Sequence, residues 1–151
     1  MKIHFKALDQ TLFTPWATMR HRLWKDDLDE CTRAFADYQK NQAQQTALTL
    51  LAFDDSEAAL GFIEGELRSD YVEGADIRPI WYVEGVYIEP HARRQGVGDR
   101  LIREFAKRVN ATTLASDTEV KNERSQEFHK AIGFREVQRT VNFILNLDDP
   151  S

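Results

Sequence analysis

The sequence of 151 residues contains little proline and glycine and a single cysteine, Cys31. One cysteine excludes a disulfide within the chain and favours a reducing compartment. No apolar run approaches the length of a membrane span. The first ten residues, MKIHFKALDQ, lack the long apolar stretch of a secretory signal. These absences predict a cytoplasmic protein that does not enter a membrane.

Positive charge is also scarce. Twenty Lys and Arg residues stand against 25 Asp and Glu residues, which leaves a net charge of −5. This balance argues against general nucleic-acid binding and is compatible with a small cationic substrate. The four histidines show no metal-ligand spacing, so we expect no metal. The length suits one hydrophobic core, and we expect one domain over residues 1–151.

The periodicity of apolar residues is regular along the chain. Helical spacing predicts four helices. The first begins at Thr14, and the other three cover residues 27–40, 98–109 and 121–132. Alternation and turn signals predict strands at 1–8, 46–53, 59–72, 80–88 and 113–116, and closing strands over 134–147. Two helices come early and most strands precede the last two helices. The predicted fold class is therefore α/β with a mixed sheet.

The stretch VYIEPHARRQGVGDRLIREFAKR places Gly96 and Gly98 where a strand feeds a helix. Such a junction presents free backbone N–H groups and the positive end of the helix dipole, which together attract an anion. Arg93 and Arg94 can add charge-assisted contacts. The pattern predicts a diphosphate cradle, with a plain turn and solvated arginines as the alternative. It is not a P-loop, because no Gly-Lys-Ser/Thr follows, and Leu101 replaces the third Rossmann glycine.

Two motifs resemble the GNAT superfamily of N-acetyltransferases. The spacing of Arg93, Gly96 and Gly98 resembles the loop that binds the acyl-CoA pyrophosphate. Asn122, Ser125, His129 and the pair Gly133-Phe134 resemble the later helix, in which a tyrosine usually stands where this chain has His129. The resemblance implies the GNAT fold: a mixed, mostly antiparallel sheet with flanking helices, in which a strand splay opens the acyl-CoA site.

A closer resemblance extends over almost the whole chain. The segments WATMRHRLWKD, ELRSDYVEG, YVEGVYIEP, ASD and VNF are similar to aminoglycoside 6'-N-acetyltransferases of the small chromosomal type. That group also carries Ser and His in the late helix. The resemblance implies a homodimer that transfers the acetyl group of acetyl-CoA to the 6'-amine of an aminoglycoside, by direct attack in a ternary complex. Such a reaction confers antibiotic resistance.

The resemblance also implies which residues contact acetyl-CoA. Backbone groups of one strand are expected to bind the pantetheine arm, and a loop and a helix complete the site. The expected residues are Val86, Tyr87 and Ile88 on the strand, Arg93, Arg94, Gln95, Gly96, Val97, Gly98 and Asp99 in the loop, and Asn122, Ser125 and His129 on the late helix.

Two residues are candidates for the chemistry. An amine attacks only when deprotonated, and a nearby carboxylate can hold the ammonium and accept its proton, directly or through water. Glu84, in an otherwise apolar strand, is the candidate carboxylate, although a solvent-facing strand residue would look the same. His129 lies one helical turn beyond Ser125, and the resemblance implies that it protonates the CoA thiolate. A packed or capping histidine is the other interpretation.

The substrate site is expected to have an acidic and aromatic lining. Its candidates are Trp24, Asp26, Glu66, Tyr71, Glu84 and Asp117. Solvated surface charges, a turn cap at Asp117 and core aromatic residues are the plainer alternatives. Cys31 is outside every motif, so a covalent acyl-cysteine route is not expected.

Two other functions remain open at this point. The same chemistry can act on another amine, such as a polyamine, an amino sugar or a peptide. A module that only binds acyl-CoA is the second alternative. Glu84 and His129 favour an enzyme, because binding alone requires neither residue.

Overall fold

A computed structural model of the chain describes residues 2–70, 72–76 and 78–148. The chain forms two compact units, Met1–Asp117 and Thr118–Ser151. In the first unit the order of elements is β1 (His4–Ala7), a 3-10 turn (Gln10–Leu12), α1 (Phe13–Trp24), α2 (Leu28–Ala43), β2 (Ala47–Phe53), β3 (Ala59–Arg68), β4 (Ile80–Ile88), a second 3-10 turn (Pro90–Ala92), α3 (Val97–Arg108) and β5 (Leu114–Ser116). The second unit contains α4 (Glu123–Ala131). A single domain over residues 1–151 stays a prediction.

The five strands form one sheet in the order β1-β2-β3-β4-β5. Neighbours among the first four strands are antiparallel, and β5 runs parallel to β4. This confirms the predicted mixed, mostly antiparallel α/β fold. β5 pairs with β4 only through Trp81, Tyr82 and Val83. Residues 84–88 of β4 therefore extend beyond β5, as a strand splay requires.

Local sequence signals explain where the helices begin. Asp27 and Glu30 form a capping box at the start of α2, in which each side chain accepts a hydrogen bond from the other residue's backbone N–H, at 2.8 and 3.1 Å. Gly96 precedes α3 with a φ of 79°, a left-handed conformation that suits glycine. Asn122 caps α4 by accepting from the Ser125 N–H at 3.1 Å.

The core of the first unit lies on both faces of the sheet. On one face, Trp16 and Met19 of α1 and Phe35 of α2 are buried in one cluster with Phe62 of β3. On the other face, the Phe105 side chain of α3 fills the space where a Cβ on Gly65 would lie. Side chains alternate across a strand, so Glu64 and Glu66 point to the face that α1 and α2 cover.

The predicted closing strands over residues 134–147 are wrong for the single chain. Apolar residues alternate at Val141, Phe143 and Leu145, but residues 134–146 form no strand among the described residues. The physical reason is that alternation makes a strand possible, whereas the strand itself requires hydrogen bonds from a neighbouring strand. The strand predicted over residues 59–72 is also shorter, because β3 ends at Arg68.

In the described part of the chain, no helix is both long enough and apolar enough to cross a membrane. Within the same residues, no group of three or more His, Cys, Asp or Glu side chains has the arrangement of a metal site.

Candidate active site

An acidic cavity of about 200 Å³ opens where α1 and α2 cover β3 and β4. Four carboxylates belong to its lining, against the single guanidinium of Arg20, and the aromatic rings of Trp16 and Tyr38 complete part of its wall. The four carboxylates are those of Asp37, Glu64, Glu66 and Glu84. The excess of negative charge makes the cavity suitable for a cation.

A β-bulge positions Glu84 at this cavity. Glu64 pairs with Gly85, but the next residue, Gly65, pairs with Val83, so Glu84 is the extra residue of the bulge. The packing of α1 against the bulge requires a glycine at position 85. The Trp24 ring comes within 2.4 Å of where a Cβ on Gly85 would lie, so only glycine allows the ring to pack against the strand.

A connected set of polar side chains surrounds Glu84. Arg68 Nη2 donates to the two carboxylate oxygens of Glu84 at 2.8 and 3.1 Å. The Arg68 guanidinium also lies 3.5 Å above the centre of the Tyr82 ring. Burial, together with a hydrogen bond from the Tyr82 hydroxyl to Asp117, raises the pKa of Tyr82 to about 12. The structure thus links Glu84 to Asp117 through Arg68 and Tyr82.

Glu66 lies next to this set on β3, where it pairs in register with Tyr82. Burial, and then the negative charge of Glu84, raise the pKa of Glu66. Two carboxylates that repel each other are stabilised together by a cation between them. Asp70, which follows β3, is exposed. Tyr71, predicted to contact the substrate, lies outside the described residues.

The C-terminal end of α1 brings Trp24 and Asp26 to the site. Arg20 Nε donates to Asp26 Oδ2 at 2.6 Å, and Arg20 Nη1 donates to both oxygens of Glu64 at 2.7 Å. Trp16 Nε1 donates to the same carboxylate at 2.7 Å. The Arg20 guanidinium lies 4.6 Å from the centre of the Trp24 ring. Asp26 therefore already has a cationic partner, and its charge is partly neutralised within the chain.

Burial raises the pKa of Glu64, and the contacts with Arg20 and Trp16 oppose that rise. Glu64 is the most enclosed carboxylate of the cavity, with 14% of its side chain exposed. Its hydrogen-bond partners come from α1, so we assign it to holding α1 against the sheet.

The glycine-rich loop has the geometry of an anion site. Gly96 is the N-terminal cap of α3 without a side-chain cap, and no atom lies within 4 Å of where its Cβ would be. The first turn of a helix leaves its N–H groups without intrahelical partners, here those of Val97, Gly98 and Asp99. Their dipoles favour a negative ligand in the open space beside Gly96.

The arginines before the loop differ in their contacts. Arg93 Nε donates to the Ile88 carbonyl at 2.9 Å, which ties the loop to the end of β4. Arg94 has a φ of 64°, and its side chain is exposed. Gln95 Nε2 donates to the His91 carbonyl at 3.1 Å. Asp99 forms an ion pair with Arg103 at 3.3 Å, so its charge is balanced within α3.

The last residues of β4, Val86, Tyr87 and Ile88, lie beyond the end of β5. Among the described residues no strand pairs with β4 there on the β5 side, so that edge offers backbone groups to an extended ligand. The Tyr87 side chain is buried and lies 6.1 Å from Phe62, ring centre to ring centre. Its role is packing, and only the backbone of this segment is suited to binding.

In the second unit, Asn122 caps α4, and Ser125 and His129 lie on that helix. His129 Nδ1 is 2.7 Å from the Ser125 carbonyl oxygen and 3.4 Å from Ser125 Oγ. A carbonyl oxygen only accepts, so Nδ1 carries the hydrogen, and Nε2 can donate a proton only when the ring is an imidazolium. The His129 ring also contacts Phe128 and Phe134, with centres 5.9 and 5.2 Å away.

Sequence reasoning missed several residues of the site: Arg20, Asp37, Tyr38, Glu64, Arg68 and Tyr82. The spacing of residues along the chain could have identified Glu64, Arg68 and Arg20. Glu64, Glu66 and Arg68 alternate along β3, which places them on one face. Arg20 is four residues from both Trp16 and Trp24, which places all three on one side of α1. No comparable signal identified Tyr82.

Comparisons with known proteins agree with this geometry. Residues 14–134 match the Acetyltransferase (GNAT) family. The chain is similar to an aminoglycoside N(6')-acetyltransferase type 1 of Acinetobacter haemolyticus, 32% identical over 97% of this chain and all of that protein. A Serratia marcescens protein of the same name is 38% identical over 83% of this chain and 87% of its own length.

A solved structure is also similar to the whole chain. It is AAC(6')-Iy in complex with the bisubstrate analogue CoA-S-monomethyl-acetylneamine, with a TM-score of 0.83 and 28% identity over 97% of this chain and 99% of that one. The end of β4 that extends beyond β5, the glycine-rich turn before α3 and the match over residues 14–134 lead to one conclusion. The chain belongs to the acetyltransferase (GNAT) family.

Proposed function

We propose that the protein transfers the acetyl group of acetyl-CoA to the 6'-amine of aminoglycoside antibiotics, by direct attack in a ternary complex, and so confers resistance. One observation carries this proposal. The acidic cavity at Glu84 lies on the same strand, β4, that leads to the glycine-rich loop before α3. A site for a cationic amine and a site for a phosphate-bearing donor are thus joined by one strand. The names of the similar proteins support the choice of substrate.

The acetyl-CoA site consists of two parts in the first unit. The N–H groups at the start of α3 and the open space beside Gly96 suit the pyrophosphate, with Arg93 and Arg94 next to them. The β4 backbone at residues 86–88, beyond β5, suits the extended pantetheine arm. A thioester that follows this strand would be directed from the loop toward the bulge at Glu84.

At the bulge, Glu84 holds the substrate ammonium and accepts its proton, directly or through water. The freed amine nitrogen forms a bond to the acetyl carbonyl carbon, the carbon–sulfur bond breaks, and the nitrogen loses its second proton to water to give the amide. CoA leaves as a thiolate, which takes up a proton from the His129 imidazolium or from water. Glu66 and Asp117 face other positive groups of the drug, and Trp24 provides an apolar wall.

The test is an assay of CoA thiol release over a panel of amines. We expect release with an aminoglycoside that bears a 6'-amine and none with its 6'-hydroxyl relative, because the second lacks both the nucleophile and the cation that faces Glu84. Release with spermidine alone, or equal acetylation of both drugs, would move the reaction to another amine. Binding of acetyl-CoA without release from any amine would indicate a binding module.

We also propose a homodimer. Apolar side chains in the second unit are largely exposed, and their exposed fractions are 75% for Val141, 89% for Phe143 and Ile144, 80% for Leu145 and 84% for Leu147. Soluble proteins seldom leave such a row uncovered. The alternation of Val141, Phe143, Leu145 and Leu147 suits a strand that pairs with a second copy of the chain.

Sedimentation equilibrium tests the dimer. The double variant Phe143→Lys/Leu145→Lys should sediment as a monomer, because it places charge in the contact. Asn142→Lys, on the alternate face of the same segment, is the matched control and should remain dimeric. A wild-type protein that is monomeric at all concentrations would contradict the proposal.

A cytoplasmic location completes the proposal. The single cysteine, Cys31, is buried and free, and burial raises the pKa of its thiol. The proposed use of acetyl-CoA, a metabolite of the cell interior, supports this location.

A further inference from the structure

We propose that Arg68 is a positioning residue for the transfer reaction: it holds the Glu84 carboxylate in the orientation from which it meets the substrate amine. The inference rests on the role of Glu84 in the proposed function. Arg68 itself is not expected to contact the reacting atoms.

The geometry of the pair is the first support. One nitrogen of Arg68, Nη2, lies 2.8 and 3.1 Å from the two oxygens of Glu84. A carboxylate has about four acceptor positions, so the contact leaves room for an ammonium group and for water. Arg68 therefore orients the carboxylate without occupying all of it.

The position of Glu84 in the backbone is the second support. Glu84 is the extra residue of the β3–β4 bulge, where the regular pairing of the two strands is interrupted. Its side chain is partly exposed, so neighbouring side chains must restrict its rotamers. The hydrogen bonds from Arg68 supply that restriction from the adjacent strand.

The third support is the way in which Arg68 is itself held. The central carbon of its guanidinium lies 3.5 Å from the centre of the Tyr82 ring, and Tyr82 is itself buried. A planar guanidinium can stack and donate at once, which an ammonium group cannot do in the same geometry. The contact with the buried Tyr82 ring thus limits where the guanidinium can lie, and the guanidinium in turn orients the Glu84 carboxylate.

The contact contributes little to stability, because solvent screens ion pairs as exposed as this one. The exposed fractions of the two side chains are 36% for Arg68 and 31% for Glu84. Arg108 offers a matched control, because it is equally exposed at 36% and forms an ion pair with Glu104 at 2.8 Å on α3.

The experiment is a double-mutant cycle with steady-state kinetics on an amine that the wild-type enzyme acetylates. We expect Arg68→Met to lower kcat by roughly ten- to a hundredfold, the scale of a misplaced catalytic group, with an unchanged KM for acetyl-CoA. Arg68→Lys should recover part of kcat, and Arg108→Met should match the wild type. In the Glu84→Gln background, Arg68→Met should cause no further loss, because its effect passes through Glu84.

Several results would overturn the inference. These are equal losses from Arg68→Met with and without Glu84, a rise in kcat on removal of Arg68, and a Glu84→Gln enzyme with unchanged kinetics. If the Glu84→Gln background is too slow to read, an Arg68→Lys enzyme no faster than Arg68→Met is the result that overturns it. Failure of the proposed substrate is separate, since the cycle then runs on whichever amine releases CoA thiol.

Discussion

Arg20 and Glu64 form the most enclosed ion pair of the acidic cavity, with Arg20 Nη1 at 2.7 Å from both carboxylate oxygens. Only 17% and 14% of the two side chains are exposed. The pair joins α1 to β3, and the same guanidinium reaches Asp26 and the Trp24 ring. The positions of Asp26 and Trp24, which are both predicted substrate contacts, therefore depend on the ion pair between Arg20 and Glu64.

Arg20→Met should destabilise the protein strongly, because it leaves the Glu64 carboxylate enclosed without its cation. We expect the free energy of unfolding to fall by about 3–5 kcal/mol, measured by urea denaturation. Arg108→Met, at a more exposed pair, should cost about 1 kcal/mol or less. The double variant Arg20→Met/Glu64→Leu should recover much of the loss. A single variant as stable as the control would contradict a structural role for the pair.

Glu84→Gln should lower kcat by roughly ten- to ten-thousandfold, the range for a general base. The amide keeps the shape of the side chain but neither accepts the proton nor carries the charge that holds the ammonium. The KM for acetyl-CoA should barely change. Glu104→Gln, on α3, is the control for a lost carboxylate. Unchanged kinetics in Glu84→Gln would make Glu84 an ordinary exposed strand residue.

His129→Ala should cause a smaller loss of kcat than Glu84→Gln, because water can also protonate a thiolate. The reason for any loss is the removal of the imidazolium donor. Stopped-flow detection of CoA release compares the two variants under the same conditions. A loss larger than that of Glu84→Gln would show that His129 does more than protonate the leaving group.

Gly96→Val should raise the KM for acetyl-CoA sharply or abolish its binding. Gly96 has a φ of 79°, which a β-branched residue rarely adopts, and a side chain there would also enter the space proposed for the phosphates. Gly96→Asn separates the two causes, since asparagine tolerates this conformation and only fills the space. Calorimetry that finds wild-type affinity in a folded Gly96→Val protein would remove the phosphate cradle.

The raised pKa of Tyr82 predicts a pH dependence of stability. The folded protein keeps the phenol proton up to about pH 12, whereas the unfolded chain loses it near the ordinary value of 10.0. The folded state therefore binds more protons in this interval, and the free energy of unfolding contributed by Tyr82 falls as the pH rises through it. Below the interval that contribution is constant.

Urea denaturation of the wild type and of Tyr82→Phe at several pH values measures this effect. The difference in free energy of unfolding between the two proteins should be constant around neutral pH. From pH 10.0 toward about 12, the wild type should lose stability relative to Tyr82→Phe. A difference that does not change with pH would mean that Tyr82 ionises alike in both states.

The comparison of sequence and structure is clearest in β4. The strand was predicted at residues 80–88, and the structure places it at Ile80–Ile88. Its boundaries follow from local signals, a β-branched and aromatic run that ends at Glu89-Pro90. The bulge at Glu84 could not be placed from the sequence, because a bulge is a property of two paired strands and needs the register of β3.

Residues 134–147 show the opposite case. Their alternation predicted closing strands, and the described residues of that range pair with no strand. A single strand cannot satisfy its own backbone N–H and C=O groups, so alternation alone does not decide the outcome.

The sequence by itself determined the order of the elements, the glycine-rich turn before α3 and the family to which the chain belongs, because each depends on residues close together in the chain or on a pattern along it. The tertiary structure alone decided which charges meet. Arg20 and Glu64 are 44 positions apart, and Arg68 and Glu84 are 16 apart, and both pairs form only because strand register and helix packing bring them together. Side-chain direction depends on neighbours that the linear order does not specify. Glu84 could therefore be selected from the sequence, whereas the arginine that holds it could not.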